Sequence, residues 1–128
     1  MHEPITISLE NDKTLSAIYS KPEDSEQSEL KRKLVLMLHD IPGDMHAHSD
    51  LYGRIEDNLN GLGFHTLRFD FLCCGDSSGS LENFSFQQAK ISLDGIKEWA
   101  EHSGYKEFVI ISQGFGSMAA IMNRGKNL

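Results

Sequence analysis

The chain has 128 residues, 39% of them hydrophobic and 24% charged, with a formal net charge of −7 and a pI near 5.2. That length suits a single domain, 1–128, burying roughly two thirds of its unfolded surface. The acidic balance argues against nucleic acid or anionic membrane as a partner, and no apolar run reaches the ~20 residues of a membrane-spanning helix.

The N-terminus, Met1-His-Glu-Pro-Ile5, does not read as a signal peptide. The cysteines are adjacent, Cys73 and Cys74, and a bond between neighbours would be strained. Free thiols in a reducing compartment follow, and a cytoplasmic protein is the expectation.

Residues 4–9, Pro-Ile-Thr-Ile-Ser-Leu, alternate as a half-buried strand does. Asn11-Asp12-Lys13 suits a turn, and Thr14 to Ser20 the returning arm of a hairpin. Residues 21–31 are polar and charged, a solvated connector. Leu34-Val-Leu-Met-Leu38 is a continuous apolar run, like a strand covered on both faces. The loop His39-Asp-Ile-Pro-Gly-Asp44 leaves its carboxyl end. A helix is predicted over His48–Leu62, with Leu51, Ile55, Leu59 and Leu62 as its apolar stripe and Gly61 and Gly63 as stop signals.

Phe64 to Asp70 reads as the next strand, followed by the loop Leu72-Cys-Cys-Gly-Asp-Ser-Ser-Gly-Ser80. Ser85 and Gln88 have the spacing of a capping box. They open a helix from Phe86 to about His102 that should bury Phe86, Ala89, Leu93, Ile96 and Ala100. Phe108 to Ser112 is the last strand. A turn of small residues follows, and Ser117-Met-Ala-Ala-Ile-Met122 can continue as a helix. Strands alternating with helices imply a parallel sheet with right-handed crossovers. The expected fold is a three-layer α/β/α sandwich, mostly parallel, with an N-terminal antiparallel hairpin.

Strand, sharp turn and helix over 108–122 form the context of a nucleophile elbow, in which G-x-S-x-G sets a serine on a strained tip. Here the stretch reads Ser112-Gln113-Gly114-Phe115-Gly116. The tip is Gly114, which has no side chain to attack a carbonyl.

The apolar strand ending in His39, the turn Arg68-Phe-Asp-Phe-Leu-Cys-Cys-Gly-Asp-Ser-Ser-Gly79 and the stretch Gln113 to Gly116 together resemble the N-terminal half of an α/β-hydrolase. They are most similar to its esterase and serine-aminopeptidase-like branch, including feruloyl-esterase-type enzymes. The resemblance covers roughly residues 5–122 and implies a truncated α/β-hydrolase fold. In that family a Ser-His-Asp arrangement performs acyl transfer. By the resemblance, Gly114 holds the nucleophile's position. The acid and base would follow beyond Leu128, so all three positions are expected to be empty. The oxyanion-hole donors would be the backbone N–H groups of Ile41 and Phe115. Asp40 stands where the family has glycine, and a carboxylate facing the pocket would oppose the charge such a hole stabilises.

Other candidates are weaker. Cys73 or Cys74 could serve as a displaced thiolate with His39 nearby, although nothing in the sequence depresses a thiol pKa. Ser112 should point back into the strand end. Ser77 and Ser117 suit turn or capping roles. His46 and His48, with Asp44 and Asp50, could form a metal cluster, but a polar loop entering a helix gives the same string. No cofactor is implied, and His39 and Trp99 read as structural.

The resemblance places Phe108-Val-Ile-Ile-Ser112 at the margin of the sheet, where an apolar edge invites pairing. A homodimer through that edge is expected, or completion by another polypeptide. Three functions compete. The first is a catalytically degenerate protein acting by self-association or by binding a small molecule above Gly114. The second is a carboxylic ester hydrolase fragment or subunit, completed by a partner or using a displaced nucleophile. The third is a decayed gene product. The first is the leading expectation, so the chain leans towards not being an enzyme.

Overall fold

The computed structural model describes residues 2–22 and 33–122. Most of the predicted connector, 23–31, lies outside them. Among the described residues, five strands, β1 (His2–Ser8), β2 (Thr14–Ser20), β3 (Lys33–Leu38), β4 (His65–Phe69) and β5 (Glu107–Ser112), form one sheet in the order β1-β2-β4-β3-β5. Strands β1 and β2 make the antiparallel hairpin, and β2 pairs antiparallel with β4. Strand β3 lies parallel to both β4 and β5. This is the α/β-hydrolase order that the motifs imply.

The apolar runs become central strands because both sheet faces are covered. Every residue of β4 is buried, as are all of β3 after Lys33. Side chains alternate between faces. Leu34, Leu36, Leu38, Leu67 and Phe69 join one core with Ala89, Leu93, Ile96 and Ala100 of helix α2 (Phe86–His102) and Ala119 of helix α3 (Phe115–Met122). The opposite face carries helix α1 (Leu51–Gly61), and the three layers are complete. No helix among the described residues is long and apolar enough to cross a membrane.

Helix α1 departs from the predicted stripe. It begins three residues later than expected, after a short turn at His48–Asp50 in which Ser49 and Asp50 adopt left-handed φ. Its buried residues are Tyr52, Gly53 and Glu56, whereas Leu51, Ile55 and Leu59 of the expected stripe are half-buried and Leu62 is 70% exposed. The cause is Arg68, which β4 presents to this helix. Its guanidinium meets the Glu56 carboxylate at both oxygens, 3.3 and 3.2 Å away. A buried charge selects a charged partner, and the helix turns to supply it. His2 Nδ1 reaches the same carboxylate at 2.6 Å and so ties β1 to α1.

Helix α2 follows its prediction except at its first residue. The Ser85 hydroxyl accepts the Gln88 N–H, as the cap requires. Ala89, Leu93, Ile96 and Ala100 are buried, but Phe86 is 47% exposed and rests against Phe115 with ring centroids 5.1 Å apart. Trp99 is partly buried and meets Tyr19 edge-on.

Candidate active site

The turn after β5 has the predicted shape. Gln113 N–H donates to the Leu38 carbonyl and locks the end of β5 to that of β3. Gly114 follows at φ +47°, in the left-handed region, and Gly116 N–H bonds back to the Gln113 carbonyl at 2.8 Å. Helix α3 starts at Phe115, two residues before the expected start. Gly116 lets the helix approach the sheet, because a methyl there would lie 2.6 Å from the His39 carbonyl oxygen. Gly114 is the crest of the bend.

The space above that crest is occupied by Asp40. Its Oδ1 accepts hydrogen bonds from Ile41 N–H at 2.8 Å and from Phe115 N–H at 2.9 Å. These are the two donors expected to form the oxyanion hole, and they converge on one oxygen. A methyl on Gly114 would overlap the Asp40 carboxylate. The hydrogen bond from Phe115, then that from Ile41, hold the Asp40 carboxyl below its ordinary pKa. The carboxylate is therefore charged at neutral pH.

The loop bearing Asp40 is braced from below. His39 is buried, Phe71 N–H donates to its Nε2 at 3.1 Å, and its Nδ1 lies 2.8 Å from the Asp40 carbonyl oxygen. Those partners require a neutral ring with its proton on Nδ1. Burial lowers the His39 pKa, which favours the same form. Tyr52 donates to the Leu38 carbonyl at 2.7 Å, and its hydroxyl is pushed up to about 12, first by burial and then by the Asp40 charge. Asp70, at the end of β4, accepts from Met45 N–H at 2.8 Å and Asp76 N–H at 2.9 Å, stitching the His39–Asp44 loop to the turn after β4. Burial raises its pKa. Of these braces, His39 reads as structural in the sequence, whereas Asp70 lies within the turn Arg68–Gly79 with no role assigned. An acid at the carboxyl end of an apolar strand was the available sign of Asp70.

The displaced-nucleophile candidates lie in ordinary structural settings. Cys73 and Cys74 are free and buried. Burial, then Cys73 and Asp70, push the Cys74 thiol up to about 11, away from the thiolate. His39 has no ring nitrogen left for either thiol. Ser112 and Ser117 bond each other at 2.7 Å. Ser77 donates to the Asp70 carbonyl at 2.6 Å and accepts from Ser16 N–H, a turn staple. His46 Nδ1 accepts from the Arg68 guanidinium at 3.1 Å, so that ring nitrogen is already engaged. Among the described residues, the group close enough to share an ion is instead His2, Glu56 and Asp57. There Glu56 is already held by Arg68, and His2 gives one ring nitrogen to each carboxylate.

A sequence profile of the acyl transferase family matches residues 4–123. The chain belongs to the acyl transferase family. It is 29% identical over 115 residues to an acyl transferase of Shewanella woodyi, an alignment covering 89% of this chain and 36% of that protein. Solved structures add the fold. An esterase of Pyrococcus furiosus superposes with a TM-score of 0.74 at 20% identity, over 95% of this chain and 45% of the esterase. The Butyrivibrio proteoclasticus protein Est1E, whose structure holds ferulic acid, gives 0.76 at 17% identity over 93% and 46%. A serine hydrolase without a lid from Xanthomonas campestris gives 0.74 at 19% identity over 95% and 55%. This acyl transferase family chain thus spans about a third of its curated relative and about half of each of these structures. It has the α/β-hydrolase fold, with an elbow at Gly114 and two amides, those of Ile41 and Phe115, converging on Asp40 Oδ1.

Proposed function

We propose that this acyl transferase family chain is catalytically degenerate and acts by self-association or by binding a small-molecule ligand above Gly114. One observation carries the reading: the residue on the crest of the elbow is glycine, so no acyl group can be transferred to a side chain there. The Asp40 carboxylate adds to it, because a fixed anion opposes the negative charge that develops on a substrate oxygen. The test is turnover of p-nitrophenyl acetate together with labelling by a fluorophosphonate probe. The expected result is no labelling, and no turnover above that of the Cys73→Ala/Cys74→Ala double variant. Stoichiometric labelling would overturn the reading.

Association is proposed to run through β5. This strand is the sheet's margin among the described residues, with Val109 47% exposed and Met118, Ile121 and Met122 of α3 at 50%, 66% and 61% beside it. Two copies pairing there about a two-fold axis would satisfy the edge and cover the apolar side chains. The two free thiols fit a cytoplasmic location.

A carboxylic ester hydrolase, completed by another chain or using a displaced nucleophile, is the second reading. It is favoured by the convergence of Ile41 and Phe115 N–H on a single oxygen, the geometry an acyl-transfer site requires.

A further inference from the structure

Asp40 and Gly114 depart from the family pattern in opposite senses. A carboxylate stands where the pattern has glycine, and glycine where it has a side chain. The structure shows the two changes meeting in space. The volume that a side chain on Gly114 would fill is filled by the Asp40 carboxylate, and both amides that would hold a substrate oxygen hold Asp40 Oδ1.

We propose that Asp40 is an internal ligand: its carboxylate fills both the nucleophile's place and the oxyanion hole, and the Ile41 and Phe115 amides form a latent site for a monocarboxylate that opens when Asp40 is displaced. This deepens the reading of Gly114 as an empty crest and rests on it.

Three observations support the proposal. The donors come from two separate segments, the loop after β3 and the first residue of α3, so their convergence is a property of the fold rather than of one turn. The occupant is itself a carboxylate, so the site is shown holding the chemical class it is proposed to take. Asp40 is an exposed side chain, tethered at the site by those two amides, and can swing out into solvent without unfolding anything. An external carboxylate competes with a tethered one, so its apparent affinity falls by the fraction of molecules with the site open. Protonation does not open the site near neutral pH, because those amides hold the carboxyl below its ordinary value. Displacement has to come from a competing ligand or from a change at the crest.

The experiment is a titration with sodium acetate, followed through backbone amide resonances, on the wild-type chain, Asp40→Gly, Asp40→Ala, Asp40→Asn and Gly114→Ala. Removing the carboxylate should let acetate shift the Ile41 and Phe115 amides saturably, about tenfold or more tighter than in wild type. Gly114→Ala should open the site by the other route, its methyl expelling the carboxylate. Asp40→Asn keeps an oxygen acceptor and should stay closed. Two results would overturn the proposal: folded Asp40→Gly and Asp40→Ala chains whose two amides ignore acetate, or a wild-type chain that binds acetate as tightly as they do. Neither result bears on fluorophosphonate labelling, so failure here and failure of the degenerate-enzyme reading are distinguishable.

Discussion

Asp40 Oδ1 lies 2.9 Å from the Phe115 nitrogen, so an acid of the loop after β3 caps the elbow where β5 turns into α3. The two amides that converge there hold a negative charge of the protein's own, on Asp40. Asp40 and Gly114 should therefore be energetically coupled, although they are far apart in sequence.

Gly114→Ser tests that coupling. Any side chain at φ +47° costs about 1–2 kcal/mol, and serine also evicts the carboxylate. In an Asp40→Gly background the eviction cost is gone and only the backbone cost remains. The double variant should be more stable than the two single losses summed. Thermal unfolding of the four chains measures this, and simple additivity would deny the coupling.

Arg68 and Glu56 make a separable prediction. Arg68→Met leaves the fully buried Glu56 carboxylate without its guanidinium, a loss of about 3–5 kcal/mol for a broken buried pair. Arg68→Met with Glu56→Leu replaces both charges by apolar groups and should recover most of that. Urea denaturation distinguishes the two.

The pH dependence follows from His39. The fold keeps this ring neutral, while the unfolded chain takes up a proton near pH 6.5. Its contribution is whole above that value and is lost as pH falls towards the lower folded-state value, with a slope of at most about 1.4 kcal/mol per pH unit. His65, whose pKa burial also lowers, acts in the same direction. His39→Gln should therefore flatten only part of the fall in stability just below pH 6.5, read from denaturation midpoints across that range.

Self-association is tested by Val109→Lys on the outer edge of β5. A charge on an edge strand blocks pairing. Sedimentation at high micromolar concentration should show a dimer for wild type and a monomer for the variant. A monomeric wild type would remove the β5 proposal.

The sheet order and the elbow were legible because their signals are local. Runs such as Leu34–Leu38 and Phe108–Ile111 mark strands, the first covered on both faces and the second at the sheet's margin with Val109 exposed, and Gly114 and Gly116 mark a bend that needs a left-handed residue and a close approach. The face of α1 was not legible, because it is chosen by Arg68 on another element, and an apolar stripe of Leu51, Ile55, Leu59 and Leu62 looks like a core stripe whether or not one forms. Asp40 could be placed in the right loop from the sequence, but not aimed. Its direction depends on where the Phe115 amide lies, and that is settled only when β3 and β5 pair. A signal was present in the pair itself, a side chain gained at one position and lost at the other.

The most direct test of the account is the titration of the Asp40 side-chain carboxyl in the wild-type chain, read by carbon NMR alongside the Ile41 and Phe115 amides. The folded-state pKa lies below the ordinary 3.8, so the contact contributes stability above that pH and loses it as pH falls through the folded value. The midpoint should lie below 3.8, with both amides shifting in step with the carboxyl. A midpoint at or above 3.8 with the two amides unmoved would contradict it.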